Sequence, residues 1–261
     1  MPQQPVLFLS HGSPMTALGG GELSRVWEAL ASRLAPPAAI VMVSAHWTTR
    51  LPMVSGAAHP ETIHDFGGFP TELYQLRYPA PGAPELAQRL KQQLTESGIA
   101  TGIDASHGLD HGAWVPLRSL FPAADVPVLQ LSVQPERCAR HHWALGAALT
   151  PLTKENVLIV ASGHMTHNLM EWLRPSGPLP SADAQAFREF VHTRLLAGDT
   201  ETLFDWPHAA PGAHSAHPTP EHFLPLFVAL GAAGEAHDTE WLGGGWVDGA
   251  LAADNYLFAN A

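Results

Sequence analysis

The chain has little cysteine, little positive charge and no long apolar run, and each shortage excludes a class of protein. Its 261 residues include one cysteine, Cys138, which rules out an internal disulfide and a cysteine-rich zinc site. No apolar stretch approaches the roughly 20 residues that a membrane-spanning helix needs. The N-terminal residues lack the basic segment of a signal peptide, so we expect a cytoplasmic protein.

Acidic residues outnumber basic residues. The sequence has 24 Asp and Glu against 13 Lys and Arg, which gives a formal net charge of −11. Because an acidic surface repels phosphate groups and acidic membranes, we expect neither a nucleic acid nor a membrane as a partner. Hydrophobic residues make up 46% of the chain, which is enough for a sizeable core, and no change in composition divides it. We therefore expect one domain spanning residues 1–261.

Histidine is abundant, with 16 residues against 13 Lys and Arg. Since the chain has one cysteine, a transition-metal site would have to be built from histidine and carboxylate side chains. Such ligands favour zinc, non-haem iron, copper or nickel over magnesium or calcium.

Three short apolar runs end in the same way. Residues 6–9, 40–43 and 157–161 are each followed by a serine and then by a histidine, namely His11, His46 or His164. Buried parallel strands are apolar throughout, and open α/β sheets bind ligands at the carboxyl ends of their strands. The pattern therefore predicts strands whose histidines meet at one edge of a sheet.

Helical patterns alternate with the strands and predict an α/β fold whose sheet is flanked by helices. The predicted helices lie at residues 22–34, 84–97, 137–149 and 183–196, and a final helix opens at Pro220. Further strands are predicted at residues 99–103, 126–133, 237–242 and 256–259, and residues 206–220 are predicted to be a loop.

His11 and His46 are the strongest candidate ligands, because each comes just after a buried strand. His222 follows Pro220 and is predicted to lie in the first turn of the final helix, from which it would face the strand ends. The alternative for His11 and His46 is an ordinary loop histidine that is hydrogen-bonded to the backbone, and the alternative for His222 is a polar residue at the start of a helix.

Two further positions are candidates for acid–base chemistry. His164 and His167 are three residues apart and would share a face if this segment were helical, so that one could bind metal and the other move a proton. His111 lies in a glycine-flanked turn beside Asp110, whose carboxylate we do not expect to orient the neighbouring imidazole. A Walker-type phosphate loop, a Gly-x-Ser-x-Gly elbow and a His-Glu-x-x-His helix are all absent from the sequence.

Six short motifs occur in order along nearly the whole chain. They are HGSP at 11–14, SAHW at 44–47, HDFGGFP at 64–70, DHG at 110–112, THNL at 166–169 and PTPEH at 218–222. Together they resemble the 4,5-DOPA extradiol dioxygenase-like proteins. These belong to the class III extradiol ring-cleaving dioxygenases and are related to the catalytic subunit of protocatechuate 4,5-dioxygenase.

The resemblance implies a single α/β domain with a mixed, mostly parallel sheet and a metal site at the carboxyl ends of the strands. It implies one divalent metal ion held by His11, His46 and His222, with His167 as a fourth ligand or the catalytic base. His111 would be a second acid or base, or would contact the substrate. The implied reaction uses Fe(II) and O₂ to open the ring of a small aromatic diol, a DOPA-like catechol, and gives a yellow product.

One position departs from the better-known enzymes of this class, in which the third ligand is a carboxylate. Here the matching residue is His222, with Glu221 beside it. Three imidazoles also make a good Zn(II) site, so a zinc-dependent hydrolase is one alternative. A non-catalytic protein that binds a metal or a partner is another, although it would need neither His167 nor His111.

Overall fold

The computed structural model describes residues 3–19, 21–173, 177 and 179–260, which form alternating strands and helices. The strands are β1 (Val6–Ser10), β2 (Ala39–Ser44), β3 (Met53–Ser55), β4 (Gly102–Asp104), β5 (Val128–Gln130), β6 (Val157–Gly163), β7 (His237–Gly243), β8 (Trp246–Val247), β9 (Leu251–Ala252) and β10 (Asn255–Asn260). The helices are α1 (Glu22–Ala31), α2 (Thr71–Gln75), α3 (Pro84–Glu96), α4 (His111–Leu120), α5 (Ala139–Thr153), α6 (Leu169–Leu173), α7 (Ala182–Leu196), α8 (Thr200–Phe204), α9 (Trp206–Ala209), α10 (Ala213–Ala216) and α11 (Leu224–Ala233). Across these ranges, no helix combines the length and the apolar character that crossing a membrane would need.

Six strands form a central sheet in the order β5-β2-β6-β1-β10-β7. The first four are parallel to one another, whereas β10 is antiparallel to both β1 and β7. The three strands that precede a histidine are therefore neighbours, with Ser162 of β6 opposite Leu9 of β1 and Ser44 of β2. The predicted α/β fold with a mixed, mostly parallel sheet is confirmed.

Both faces of the sheet are covered, which explains why its central strands are apolar throughout rather than alternating. Val6 and Phe8 of β1 belong to a core formed with α3, α5, α7 and α11. Leu7 and Leu9 point the other way, into a core formed with α1 and α4. All four side chains are fully buried.

Three details differ from the sequence-based predictions. The strand predicted at residues 99–103 is β4, which lies outside the central sheet and pairs with β3. Residues 206–220, predicted to be a loop, contain the short helices α9 and α10. His222 precedes the final helix instead of lying in its first turn. The carbonyl of Pro220 accepts hydrogen bonds from the amides of Phe223 and Leu224, and these bonds close a turn just before the helix.

Two glycines bring the backbones of α5 and α11 into direct contact. A Cβ atom added to Gly146 would overlap the carbonyl oxygen of Val228, and one added to Gly231 would overlap that of Trp143. Between them, the Thr150 hydroxyl donates a hydrogen bond of 3.2 Å to the Gly231 carbonyl. This contact fixes the position of α11, and with it the turn that carries His222.

Replacing Gly146 by alanine should destabilise the protein. The added methyl group would push α11 away from α5, and overpacking of this kind costs about 1–3 kcal/mol. We expect the free energy of unfolding, measured with urea, to fall by that amount. Gly67→Ala is the control, because its Cβ would have no neighbour within 4 Å. Equal stability of the two variants would show that the helices are not tightly packed at Gly146.

Candidate metal centre

Three histidine side chains converge at the carboxyl-terminal edge of the sheet. His11 follows β1, His46 follows β2, and His222 lies in the turn before α11. The Nε2 atom of His46 is 3.0 Å from that of His11 and 3.3 Å from that of His222. The three donor atoms all lie within 4.8 Å of one another.

These nitrogen–nitrogen distances suit ligands of a single metal ion. Nitrogen ligands lie at about 2.0–2.1 Å from zinc, which places two of them roughly 3.0–3.4 Å apart at the usual coordination angles. A neutral imidazole has one N–H and one lone pair, so a metal ion accounts for three converging lone pairs better than mutual hydrogen bonds do.

The other nitrogen of each ring, Nδ1, faces an oxygen atom. The pairs are His11 with Ser162 Oγ at 3.0 Å, His46 with Asp65 Oδ2 at 3.4 Å and His222 with Glu221 Oε1 at 3.4 Å. The Ser162 hydroxyl donates a hydrogen bond to the carbonyl of Gly112, so its oxygen accepts a hydrogen bond from the N–H group at His11 Nδ1. Partners of this kind place the ring proton on Nδ1 and leave Nε2 free to bind metal.

Burial keeps the three rings uncharged. Loss of hydration holds the pKa of His11 and of His222 well below the usual value, and it lowers the pKa of His46 to about 3. Neighbouring histidines lower these values further. Since neutral imidazole is the form that binds metal, the donor set fits a divalent transition-metal ion.

Asp65 connects His46 to His111, the first residue of α4. Its Oδ1 lies 3.0 Å from His111 Nδ1 and accepts a hydrogen bond of 2.9 Å from the His111 backbone amide. Burial raises the pKa of this carboxyl group, but the contacts with His111 outweigh it and lower the pKa to about 2. The ring centroids of His46 and His111 are 3.9 Å apart. Reasoning from the sequence did not identify Asp65 as a site residue, although it lies in the HDFGGFP motif.

Asp110 has a structural role close to the site. Its carboxylate accepts a hydrogen bond of 2.6 Å from the Ser44 hydroxyl at the end of β2 and one of 3.2 Å from the Ala113 amide in the first turn of α4. Burial raises the pKa of Asp110 to about 6. As expected, this carboxylate does not orient the His111 ring; instead it ties α4 to β2 and so holds His111 near His46.

His167 lies against the metal centre but not within the group of three nitrogens. Its ring stacks on that of His222, with centroids 3.4 Å apart and planes 9° apart. The possible metal-binding atoms that lie close to His167 are those of Glu221 and His222, and His167 forms no such group with His11 or His46. Burial, followed by the nearby His164, lowers the pKa of His167 to about 2, so the ring is uncharged.

His164 lies beside the site on a segment that is extended and not helical, so it shares no helix face with His167. Its ring centroid is 6.0 Å from that of His11 and 6.0 Å from that of His167. Nδ1 is 2.8 Å from the Ala252 carbonyl, so Nδ1 carries the proton, and the buried Nε2 has no hydrogen-bond partner among the residues that the structure describes.

An aromatic cluster adjoins His111. The Phe66 ring is 5.7 Å from His111, 5.4 Å from Phe69, 5.3 Å from Tyr74 and 6.3 Å from Trp114, measured between centroids. Phe66, Phe69, Tyr74 and Trp114 make up this cluster. The structure places them together, next to the metal centre.

Comparison with known proteins gives consistent matches over almost the whole chain. The family described as the catalytic LigB subunit of aromatic ring-opening dioxygenase matches residues 5–259. A Beta vulgaris protein named 4,5-DOPA dioxygenase extradiol is 43% identical over 265 residues, which cover 97% of this chain and 96% of that protein. An Escherichia coli (strain K12) protein of the same name is 43% identical over 235 residues, which cover 88% and 85%. The crystal structure of an uncharacterized protein from Escherichia coli K12 matches with a TM-score of 0.83 and 33% identity, covering 97% of this chain and 99% of that chain.

Gly163, the last residue of β6, sets the position of His222. A Cβ atom at Gly163 would overlap the His222 carbonyl oxygen, which accepts a hydrogen bond of 2.8 Å from the His164 amide. Gly163→Ala should therefore displace His222 and raise the dissociation constant for Zn²⁺ roughly tenfold or more, measured by competition with a chromophoric chelator. Gly21→Ala is the control, because its Cβ would have no neighbour within 4 Å. Unchanged affinity in Gly163→Ala would contradict a role for His222 as a ligand placed by this contact.

Proposed function

Because the chain belongs to the family of the catalytic LigB subunit of aromatic ring-opening dioxygenases and is an extradiol ring-cleaving dioxygenase, we propose that His11, His46 and His222 hold its metal ion. The observation that supports this most strongly is the convergence of three Nε2 atoms at 3.0 and 3.3 Å. The oxygen atom beside each Nδ1 also supports the proposal. An acceptor at that position favours the ring with its proton on Nδ1 and its lone pair on Nε2, the nitrogen that would bind metal.

We propose Fe(II) as the metal of the active enzyme. Bound Fe(II) would supply the electron transfer between an aromatic diol and O₂. Three ligands on one side leave coordination positions free for substrate, which suits this use. Asp65 and Glu221, each 3.4 Å from the Nδ1 of a ligand, provide negative charge close to the site although no carboxylate is a ligand.

His167 and His111 are the proposed acid–base residues. His167 stacks directly on the ring of His222, so it lies beside the proposed metal ion, where it would accept a hydroxyl proton as the diol binds. The Nδ1 atom of His111 lies at ion-pair distance from Asp65 Oδ1, 3.0 Å, and Nε2 is the nitrogen that we propose to act on the substrate. Either residue could return a proton as the ring opens.

The proposed substrate is a small catechol with a DOPA-like side chain. Its ring would lie against Phe66, whose aromatic cluster adjoins His111. Aromatic side chains bind planar rings through offset stacking or edge-to-face contacts, and they exclude water from the reacting ring. The names of the relatives from Beta vulgaris and Escherichia coli support this choice of substrate.

Reconstitution with iron tests the proposed reaction. The protein is loaded with Fe(II) in the absence of oxygen and mixed with air and a panel of catechols that includes DOPA. We expect consumption of O₂ equimolar with the catechol and the appearance of a yellow product. The zinc-loaded protein is the control and should consume no O₂. A fully iron-loaded protein that consumed no O₂ with any catechol would rule the proposal out.

Replacing His167 by alanine should separate metal binding from turnover. Loss of a positioned acid or base typically slows a reaction by about 10²–10⁴-fold, so we expect turnover of the iron-loaded variant to fall by that factor. Affinity for Zn²⁺ should change by less than about threefold, because metal binding relies on the other three histidines. The matched control is His208→Ala, since the side chain of His208 is 81% exposed. Normal turnover in His167→Ala would exclude the proposed role.

A further inference from the structure

Asp65 contacts two histidines to which different tasks are assigned. We infer that Asp65 is a positioning residue that fixes the ring of the ligand His46 and the ring of the acid–base residue His111 together. The inference rests on the proposed function, in that it takes His46 as a ligand. It concerns the affinity for metal and the nitrogen of His46 that carries the proton, and both can be measured without turnover.

Each carboxylate oxygen of Asp65 lies near a different ring, one near His46 and the other near His111. Oδ2 lies 3.4 Å from His46 Nδ1, and Oδ1 lies 3.0 Å from His111 Nδ1. The opposite nitrogen of the His46 ring, Nε2, is the one that lies 3.0 Å from His11 Nε2. The imidazole of His46 therefore stands between the Asp65 carboxylate and the metal centre, with one nitrogen toward each.

This placement determines which nitrogen of His46 carries the proton. A carboxylate can only accept hydrogen bonds, whereas a neutral imidazole has one N–H and one lone pair. Asp65 therefore favours the form of His46 with its proton on Nδ1 and its lone pair on Nε2, toward the metal centre. Replacing Asp65 by asparagine would turn one carboxylate oxygen into an NH₂ group, which donates hydrogen bonds. One of the two rings would then face a donor and would no longer favour a proton on its Nδ1.

The position of Asp65 is set independently of the two rings. Its Oδ1 accepts a hydrogen bond of 2.9 Å from the backbone amide of His111, at the amino-terminal end of α4. Free amides and the helix dipole at this end stabilise a negative charge. Because α4 is tied to β2 through Asp110 and Ser44, the carboxylate, His111 and His46 are held as one unit.

Metal affinity of Asp65→Asn tests the inference. Loss of a carboxylate behind a metal-binding histidine typically weakens metal binding by about 10–100-fold, and we expect the dissociation constant for Zn²⁺ to rise by that factor. Glu72→Gln on α2 removes the same charge from an exposed position and should change the constant by less than twofold. An Asp65→Asn protein that binds Zn²⁺ as tightly as the unaltered protein would overturn the inference. If the unaltered protein bound no Zn²⁺, the proposed metal site itself would be wrong and the inference would fall with it.

A second measurement needs no variant and therefore does not depend on whether Asp65→Asn folds. In the ¹⁵N-labelled, zinc-loaded protein, the nitrogen shifts of His46 report which of its two nitrogens carries the proton. We expect a protonated Nδ1 in hydrogen-bonded form and a zinc-bound Nε2. Zinc at Nε2 by itself places the proton of a neutral imidazole on Nδ1, so the hydrogen-bonded shift of Nδ1 is the observation that reports on Asp65. An Nδ1–H group with the shift of a free N–H, or zinc bound through Nδ1, would overturn the inference.

Discussion

The parallel pairing of β6 with both β1 and β2 is the constraint on which the site depends. Ser162 lies opposite Leu9 on one side and Ser44 on the other, so the strands end at the same level. His11 and His46 follow these ends and meet there. Ser162 also contacts His11 Nδ1 through its hydroxyl group, so the strand that aligns the two proposed ligands also favours a proton on Nδ1 of one of them.

The third proposed ligand, His222, is positioned by packing between backbones and not by strand pairing. His222 lies in a turn held on one side by α11, which packs on α5 through Gly146 and Gly231, and on the other side by its contact with Gly163. Glycine is required wherever one backbone approaches another this closely. The candidate metal centre therefore needs both the sheet and this helix pair, although none of the three glycines has a side chain that could take part in chemistry.

Much of the fold and two of the proposed ligands could be predicted from the sequence. Apolar runs that end in a histidine located β1, β2 and β6, and parallel strands bring such ends together, so His11 and His46 followed from the pattern. His222 was a candidate because of its place after Pro220, and the resemblance implied it as the third ligand. Its predicted place in a helix was wrong because Pro220 opens a turn and not the helix. Asp65 was missed because its contact with His111 joins residues 46 positions apart through a loop, and no local pattern encodes such a contact.

The neighbours of β1 have a consequence for how the chain folds during synthesis. The strand is paired on both sides, with β6 and with β10, and Ser10 at its end donates a hydrogen bond to the carbonyl of Asp254, 244 positions later. When β1 leaves the ribosome, neither neighbouring strand has yet been made. Its apolar side chains must remain unpaired until most of the chain has been translated, a state that favours binding by chaperones and slow, late assembly. His11, the first of the proposed ligands to be made, is thus among the last to reach its final surroundings.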